Sequence, residues 1–275
     1  MKTIKKVLFI YTKRFILSTI YSLSRIIGID NNAVSVICYH GIEEAGNFYS
    51  VTTNDFEKQI QKLLKTSRFI SADQALMAFE GKKTEGSSIV LTIDDGYASV
   101  MDILPLTRKH SIPVLLFVLS NPKNANRKEL DHRGKLLSWD QIKYLHSQGV
   151  SIGCHSATHA NFNKLSRIEL EQEIVDSKKI LEKRLGFPIK FFAYPKGIYN
   201  KSAIELVKKA GYEAAFSVDL GSLSKEFGRF SIPRTVINKT HSLSEFPSLY
   251  SSTTHFLRKI LNNFDIWKVF ISEKV

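Results

Sequence analysis

The chain has few cysteines, no long apolar run and no internal repeat, and each absence excludes a class of protein. Cys38 and Cys154 are the only cysteines among 275 residues and lie in apolar stretches, which excludes a disulfide scaffold. Two free thiols are favoured, with a single bridge as the alternative. The uncharged stretch at 15–24 is too short to cross about 30 Å of hydrocarbon. Without repeats of about 20 to 50 residues, the chain is not a solenoid.

Basic residues outnumber acidic ones, but unevenly along the chain. The 39 Lys and Arg against 26 Asp and Glu give a formal net charge of +13. Residues 1–30 hold six basic residues and one Asp, a net charge of +5. Nowhere does a basic run alternate with aromatic residues as in many nucleic-acid-binding surfaces. We therefore expect no nucleic acid as a partner.

Both ends of the chain combine basic and apolar residues. Residues 1–32 carry lysines before an apolar run but have no clear cleavable signal, because Lys13 and Arg14 interrupt that run. Residues 251–275 repeat apolar side chains at helical spacing, with basic residues among them. Two interpretations stand: peripheral contact with a membrane surface through these ends, or packing of the ends on the domain between them.

Residues 33–250 alternate short β-branched runs with longer amphipathic segments. Continuous apolar runs of this length are typical of strands buried on both faces, and they occur at 34–39, 89–93, 113–118, 150–153, 189–193, 213–217 and 232–237. The helical segments between them are punctuated by N-cap candidates Ser138, Ser166 and Asn200 and by terminal glycines. Seven strands alternating with helices predict a parallel α/β barrel or a doubly wound sheet.

Reactive side chains follow these runs directly. Both fold classes place active sites at the carboxyl ends of their strands. The residues at those positions are His40, Asp94, Asp95, His155, His159, Tyr194, Pro195 and Arg234. The candidate site is therefore expected at one edge of the sheet.

Asp94 and Asp95 have two interpretations. An Asp-Asp-Gly triplet suits a turn after a strand without any chemistry. Alternatively, two carboxylates at one strand end ionise together cheaply only when a cation neutralises one of them. In that case one carboxylate binds a metal ion and the other is available as a base.

His155 and His159 would supply further ligands. At i and i+4 on a helical turn, two imidazoles share a face and can hold one ion, although a structural pair is the alternative. With Asp95 they offer two nitrogens and one oxygen. That set leaves coordination positions open, as catalytic metal sites do.

Three segments in this order resemble the motifs of the polysaccharide deacetylases, which are carbohydrate esterase family 4 with the NodB homology domain. They are LTIDDGY at 91–97, HSATH at 155–159 and FFAYPKG at 191–197. The resemblance covers residues 33–250, and ICYHGI at 37–42 is similar to the poly-N-acetylglucosamine deacetylase branch. It implies a distorted seven-stranded (β/α) barrel, similar to a TIM barrel.

The resemblance also implies roles for the strand-end residues. Asp94 would be the general base, while Asp95, His155 and His159 would hold one divalent metal ion, zinc before nickel, cobalt, iron or manganese. A metal-bound water would then attack an acetyl carbonyl. A backbone N–H near Lys196, in the segment with Tyr194 and Pro195, would stabilise the developing oxyanion.

The chain departs from the family pattern at two points. Ala193 stands where many members have an arginine that orients the base, and Arg234 is the candidate to replace it. The usual late histidine motif for a general acid is not clear, so His40 is the candidate for a catalytic histidine beside the metal. A surface Arg234 and a buried structural His40 are the alternatives.

These residues predict an enzyme that removes N-acetyl groups from an amino-sugar polysaccharide, oligosaccharide or lipid-linked glycan. An O-acetyl esterase and a catalytically idle carbohydrate-binding or membrane-associated protein are the alternatives. Glycan specificity is expected in the loops 43–53 and 121–137. The resemblance and the chain ends favour a bacterial-type cell envelope or membrane location, with a slight preference for the cytoplasmic side. The sequence does not predict an oligomeric state.

Overall fold

The computed structural model describes residues 15, 16, 18–24, 26, 33–44, 46–82, 84, 86–125, 130, 134–219, 221–244, 246–251 and 253–255. Its strands are β1 (Val34–Tyr39), β2 (Arg68–Phe69), β3 (Ser88–Ile93), β4 (Val114–Val118), β5 (Ser151–Cys154), β6 (Phe191–Ala193), β7 (Ala214–Phe216) and β8 (Thr235–Val236). Its α-helices are α1 (Thr53–Leu64), α2 (Ala72–Phe79), α3 (Val100–Lys109), α4 (Trp139–Ser147), α5 (Arg167–Glu171), α6 (Ser177–Leu185), α7 (Lys201–Lys209) and α8 (Phe246–Leu249).

All of these strands pair in parallel within one sheet. Seven lie in the order β7-β6-β5-β4-β3-β1-β8, and β2 pairs with the first residues of β3. A parallel bridge pairs Phe216, the last residue of β7, with Ile232, which lies three residues before β8. This bridge links the two ends of the strand order. The curled sheet confirms the predicted distorted (β/α) barrel.

The local signals at the helix ends are confirmed, but one predicted helix is divided. Ser138, Ser166 and Asn200 each accept a backbone hydrogen bond as N-caps. The helical segment that begins after Ser166 is interrupted by a π-helical turn at Gln172–Asp176, which separates α5 from α6. The prediction also missed β2 and α2, because two strand residues and eight helical residues give too short a pattern to detect.

Side chains alternate between two apolar layers along each strand. Buried residues of α1 and of α3 to α7 pack with Ile37, Leu91 and Leu116 from the outer face of the sheet. A second cluster takes the alternate strand positions and therefore fills the barrel, closed by residues of α2; its strand members are Val34, Val36, Val90, Leu115, Phe117, Phe191, Ala193, Ala214 and Phe216.

The inward alternation leads directly to the strand ends. Along β1 the inward positions are Val36 and Cys38, and the next one is His40, just after the strand. Along β3 they are Val90 and Thr92, followed by Asp94. The candidate residues that follow these strands therefore lie above the apolar interior of the barrel, at one edge.

Most of the predicted end segments 1–32 and 251–275 lies outside the described residues. In the described part, Tyr21 places its ring 6.4 Å from that of Tyr250, so this portion contacts the domain. Phe15 and Ile26 are 73% and 80% exposed. Within the described residues, no helix is both long and apolar enough to span a bilayer. Membrane contact stays a prediction.

Candidate active site

The carboxylates of Asp94 and Asp95 both lie close to the imidazole of His155, at the end of β3. The Asp94 backbone N–H donates to the carbonyl of Tyr39 at 2.9 Å, which extends the β1–β3 ladder by one step. Asp95 and Gly96 then adopt left-handed conformations with φ of 70° and 71°. Both carboxylates are buried, and their oxygens lie 3.7 Å (Asp94) and 3.4 Å (Asp95) from Nε2 of His155.

Arg234 holds Asp94 with both ends of its guanidinium group. Its Nη1 and Nη2 donate to Oδ1 and Oδ2 at 2.6 and 2.7 Å, while its Nε donates to the carbonyl of Ser217 at 3.0 Å. Burial alone would raise the pKa of the Asp94 carboxyl, but Arg234 and His155 outweigh it and lower the pKa well below its usual value. Asp94 is therefore an oriented, ionised carboxylate.

His155 and His159 lie in a loop, so the expected helical turn is wrong. The loop bends through left-handed conformations at Ser156 (φ 67°) and His159 (φ 62°), and the His159 N–H donates to Oγ of Ser156 at 3.1 Å. The bend returns His159 towards the β3 end, where its Nε2 lies 3.5 Å from Oδ1 of Asp95. The two imidazoles converge because of this bend and not because of helical periodicity.

Asp95, His155 and His159 fit a divalent cation. One potential ligand atom from each lies within 4.8 Å of the other two, and all three residues are buried. The carbonyl of Ala193 accepts from Nδ1 of His155 at 2.9 Å, which leaves the Nε2 lone pair facing carboxylate oxygens. Among the described residues, Oδ1 of Asp95 has no hydrogen-bond partner. Two facing acceptors need a cation or a proton between them.

The pKa values of these groups agree with a cation site. Burial lowers the pKa of His159 to about 4, so its imidazole is neutral and can act as a ligand. Burial also opposes the charged form of His155, but Asp94 and Asp95 outweigh it and raise its pKa. The carboxylates thus create a negative potential that attracts either a proton or a metal ion.

His40 lies at the same edge, beside both Asp94 and Cys38. One potential ligand atom of each of these three residues lies within 4.8 Å of the others. His40 is half-buried, and its ring lies 5.3 Å from that of Tyr49. No described residue forms a hydrogen bond with its Nδ1. Cys38 and Cys154 are both buried and free, as the sequence favours.

The predicted substrate segment 194–196 is largely buried. Pro195–Gly197 forms a 3₁₀ turn in which Lys196 has a left-handed φ of 56°. Tyr194 is fully buried, and its hydroxyl donates to the carbonyl of Phe230 at 3.0 Å. Pro195 is also buried. Lys196 is the exposed residue of this segment, and its role in substrate binding stays a prediction.

Other residues of the site carry no sequence signal that separates them from core or surface positions. Phe117 lies beneath Arg234, whose guanidinium carbon is 5.4 Å from the ring centre. Glu173 accepts hydrogen bonds from the loop between the two histidines. In the predicted specificity loop 121–137, the basic residues Arg127, Lys128 and Arg133 lie outside the described residues.

A parallel barrel with a buried Asp–Arg pair beside an Asp–His–His cluster at its strand ends is typical of (β/α)-barrel enzymes. The family model for polysaccharide deacetylase matches residues 81–215. This match and the relatives below confirm the predicted resemblance to the polysaccharide deacetylases.

Similar proteins agree with this assignment. YxkH of Bacillus subtilis, whose name places it with the polysaccharide deacetylases, is 25% identical over 220 residues, covering 79% of this chain and 76% of YxkH. The poly-beta-1,6-N-acetyl-D-glucosamine N-deacetylase of Staphylococcus aureus is 26% identical over 205 residues, covering 69% and 68%. The solved structure of IcaB from Ammonifex degensii shares the fold, with a TM-score of 0.69, 22% identity and coverage of 81% and 97%.

Proposed function

We propose that this protein removes N-acetyl groups from an amino-sugar glycan by metal-dependent hydrolysis. The observation that carries the proposal is that the adjacent carboxylates of Asp94 and Asp95 have different partners. Arg234 binds both carboxylate oxygens of Asp94, whereas Oδ1 of Asp95 faces two imidazoles and has no hydrogen-bond partner in the described part of the chain. The activity named for the Staphylococcus aureus relatives supports the substrate class.

Asp95, His155 and His159 would hold the metal. A divalent ion bound there would act as a Lewis acid, lowering the pKa of a water and polarising the acetyl carbonyl. Two imidazoles and one carboxylate are a common catalytic zinc set, and the same donors accept nickel, cobalt, iron and manganese. We propose zinc as the native ion.

Asp94 would take the proton from the attacking water. A base must be ionised and oriented, and the two hydrogen bonds from Arg234 provide both conditions. The backbone N–H of the turn at Lys196 would donate to the carbonyl oxygen as negative charge develops there. His40, within reach of Asp94, is our candidate to return a proton to the leaving amine.

Acetate release by matched variants tests this function. Asp94→Asn keeps the three proposed ligands but removes the base, so we expect a fall of about 10²- to 10⁴-fold in turnover with near-normal metal content. His155→Ala removes a ligand and should lose both metal and activity. Purified protein would be analysed for bound metal and incubated with N-acetylglucosamine polymers and with O-acetylated glycans.

Each alternative has its own outcome in the same assay. Acetate from O-acetylated glycans alone would identify an esterase. Glycan binding without acetate release by the metal-loaded protein would identify a carbohydrate-binding protein. Wild-type turnover by Asp94→Asn would show that Asp94 is not the base.

A further inference from the structure

A buried carboxylate outside the proposed ligand set supports the loop that carries His155 and His159. Glu173 is only 8% exposed and lies in the π-helical turn Gln172–Asp176, between α5 and α6. Its carboxylate accepts hydrogen bonds from backbone and hydroxyl groups and, within the described residues, forms no salt bridge with a Lys, Arg or His. A buried charge in such a position needs a full set of hydrogen bonds.

The donors that satisfy Glu173 all come from the histidine loop. The backbone N–H groups of Ala157 and Thr158 both donate to Oε2 at 2.9 Å. The Thr158 hydroxyl donates to Oε1 at 2.6 Å. One carboxylate therefore binds three donors from two consecutive residues, which lie between the two histidines.

These hydrogen bonds act on the strained part of the loop. Ser156 and His159 both have positive φ, a conformation that non-glycine residues rarely adopt unless their surroundings hold them there. On the opposite side, the N–H groups of Ser120 and Asn121 donate to the carbonyls of Ser156 and Ala157 at 3.1 and 3.0 Å. The carbonyls of the loop are thus bound by the segment that follows β4, and its N–H groups are bound by Glu173 of the π turn.

The π turn is itself stabilised where it departs from α-helical geometry. The carbonyl of Ile174 accepts from the hydroxyls of Ser177 and Tyr212 at 3.0 and 3.1 Å. These contacts fix the residue that follows Glu173. Single π turns inside α-helices are frequent at functional sites.

We propose that Glu173 is a positioning residue that fixes His159 relative to Asp95 and thereby sets the metal affinity of the site. The inference rests on the metal site of the proposed function. Glu173 acts through the loop: it fixes Ala157 and Thr158, these fix the bend, and the bend directs His159 towards Oδ1 of Asp95. Groups that orient ligands typically change metal affinity by about 10- to 100-fold when they are removed.

Metal affinity measured without any glycan tests the proposal. Zn²⁺ would be partitioned at equilibrium between the full-length protein and a chromophoric chelator. We expect Glu173→Ala to bind Zn²⁺ about 10- to 100-fold more weakly than wild type. Glu173→Gln retains one acceptor oxygen, and Thr158→Ala removes one donor, so both should show smaller losses.

Glu171→Ala is the matched control. Glu171 lies two residues earlier, has a side chain that is 42% exposed, and accepts a hydrogen bond from Lys209 at 2.9 Å. Its replacement removes a carboxylate from the same helical region without contacting the histidine loop. We expect wild-type Zn²⁺ affinity from this variant.

The outcomes separate this inference from the proposed function. If wild type binds no Zn²⁺, both the metal site and the role of Glu173 are wrong. If wild type binds Zn²⁺ and a folded Glu173→Ala binds it equally well, only the role of Glu173 is wrong, even when the metal-free variant unfolds at a lower temperature. If Glu173→Ala does not fold, unchanged affinity in both Glu173→Gln and Thr158→Ala would overturn the proposal.

Discussion

The outer and inner faces of the barrel sheet carry different kinds of side chains at the carboxyl ends of the strands. Outward side chains such as Ile37, Leu91 and Leu116 belong to a continuous apolar layer beneath the helices. Inward side chains begin as Val36 and Val90 but end as His40 and Asp94. The outer face is mostly apolar, with buried polar exceptions such as Ser35, whereas the inner face changes from apolar to ionisable within one strand.

This difference has an energetic consequence. Burial of apolar area in the outer layer stabilises the fold by roughly 25 cal/mol per Å². The Asp94–Arg234 pair has to be desolvated, and attraction between such groups often only offsets that cost. We therefore expect substitutions inside the barrel to affect turnover first, and substitutions in the outer layer to affect stability first.

Replacing Arg234 should have the largest effect on turnover. Arg234→Ala would leave the buried Asp94 without its counter-charge and without both orienting hydrogen bonds. We expect acetate release to fall about 10²- to 10⁴-fold, similar to loss of the base itself. Because removing one partner of a buried pair also costs about 3 to 5 kcal/mol, folding must be checked by circular dichroism.

Arg234→Lys and Arg229→Ala give the controls for that experiment. The lysine keeps the charge but not the two-pronged geometry, so we expect partial activity. Arg229 lies five residues earlier, is half-buried, and donates from Nη2 to Oε1 of Glu80 at 3.0 Å. Its replacement should leave turnover unchanged. Wild-type turnover from Arg234→Lys would show that charge alone is sufficient.

A smaller effect is expected from Gly153→Ala, which would displace the apolar floor of the site. A Cβ at Gly153 would lie 2.5 Å from two ring atoms of Phe117 and 3.1 Å from the carbonyl oxygen of Phe191. The Phe117 ring lies beneath Arg234 and 6.4 Å from His155. Since a displacement of about 1 Å near reacting groups can cost about 100-fold in rate, we expect turnover to fall by about 10- to 100-fold.

The double variant Gly153→Ala/Phe117→Leu tests whether the clash is the cause. Leucine lacks the ring atoms that the new Cβ would meet, so the double variant should recover part of the lost turnover. Acetate release by the two single variants and the double variant completes the cycle. Additive losses would rule out the steric explanation.

The sequence correctly predicted at which edge of the barrel the site residues lie, but it did not predict the geometry of those residues. Asp94 and His155 follow strands, and strand ends of a parallel sheet converge whatever the local conformation. That rule remains useful even though the helical turn expected for His155 and His159 was wrong. Glu173 could not be identified, because an acidic residue in an amphipathic helix has the same pattern as a solvated one. Only the packed loop distinguishes them.

The smallest effect on turnover is expected in the outer layer, from Leu63→Ala. Leu63 is fully buried in α1 and belongs to the apolar layer outside the sheet. Truncation should cost about 2 to 5 kcal/mol of unfolding free energy through lost burial and the cavity that remains. The folded fraction should still release acetate at the wild-type rate. Urea denaturation would give the unfolding free energy and the folded fraction, and acetate release would be expressed per folded molecule. A turnover loss comparable to that of Gly153→Ala would mean that the outer layer also sets the geometry of the site, and the two faces would no longer be separable.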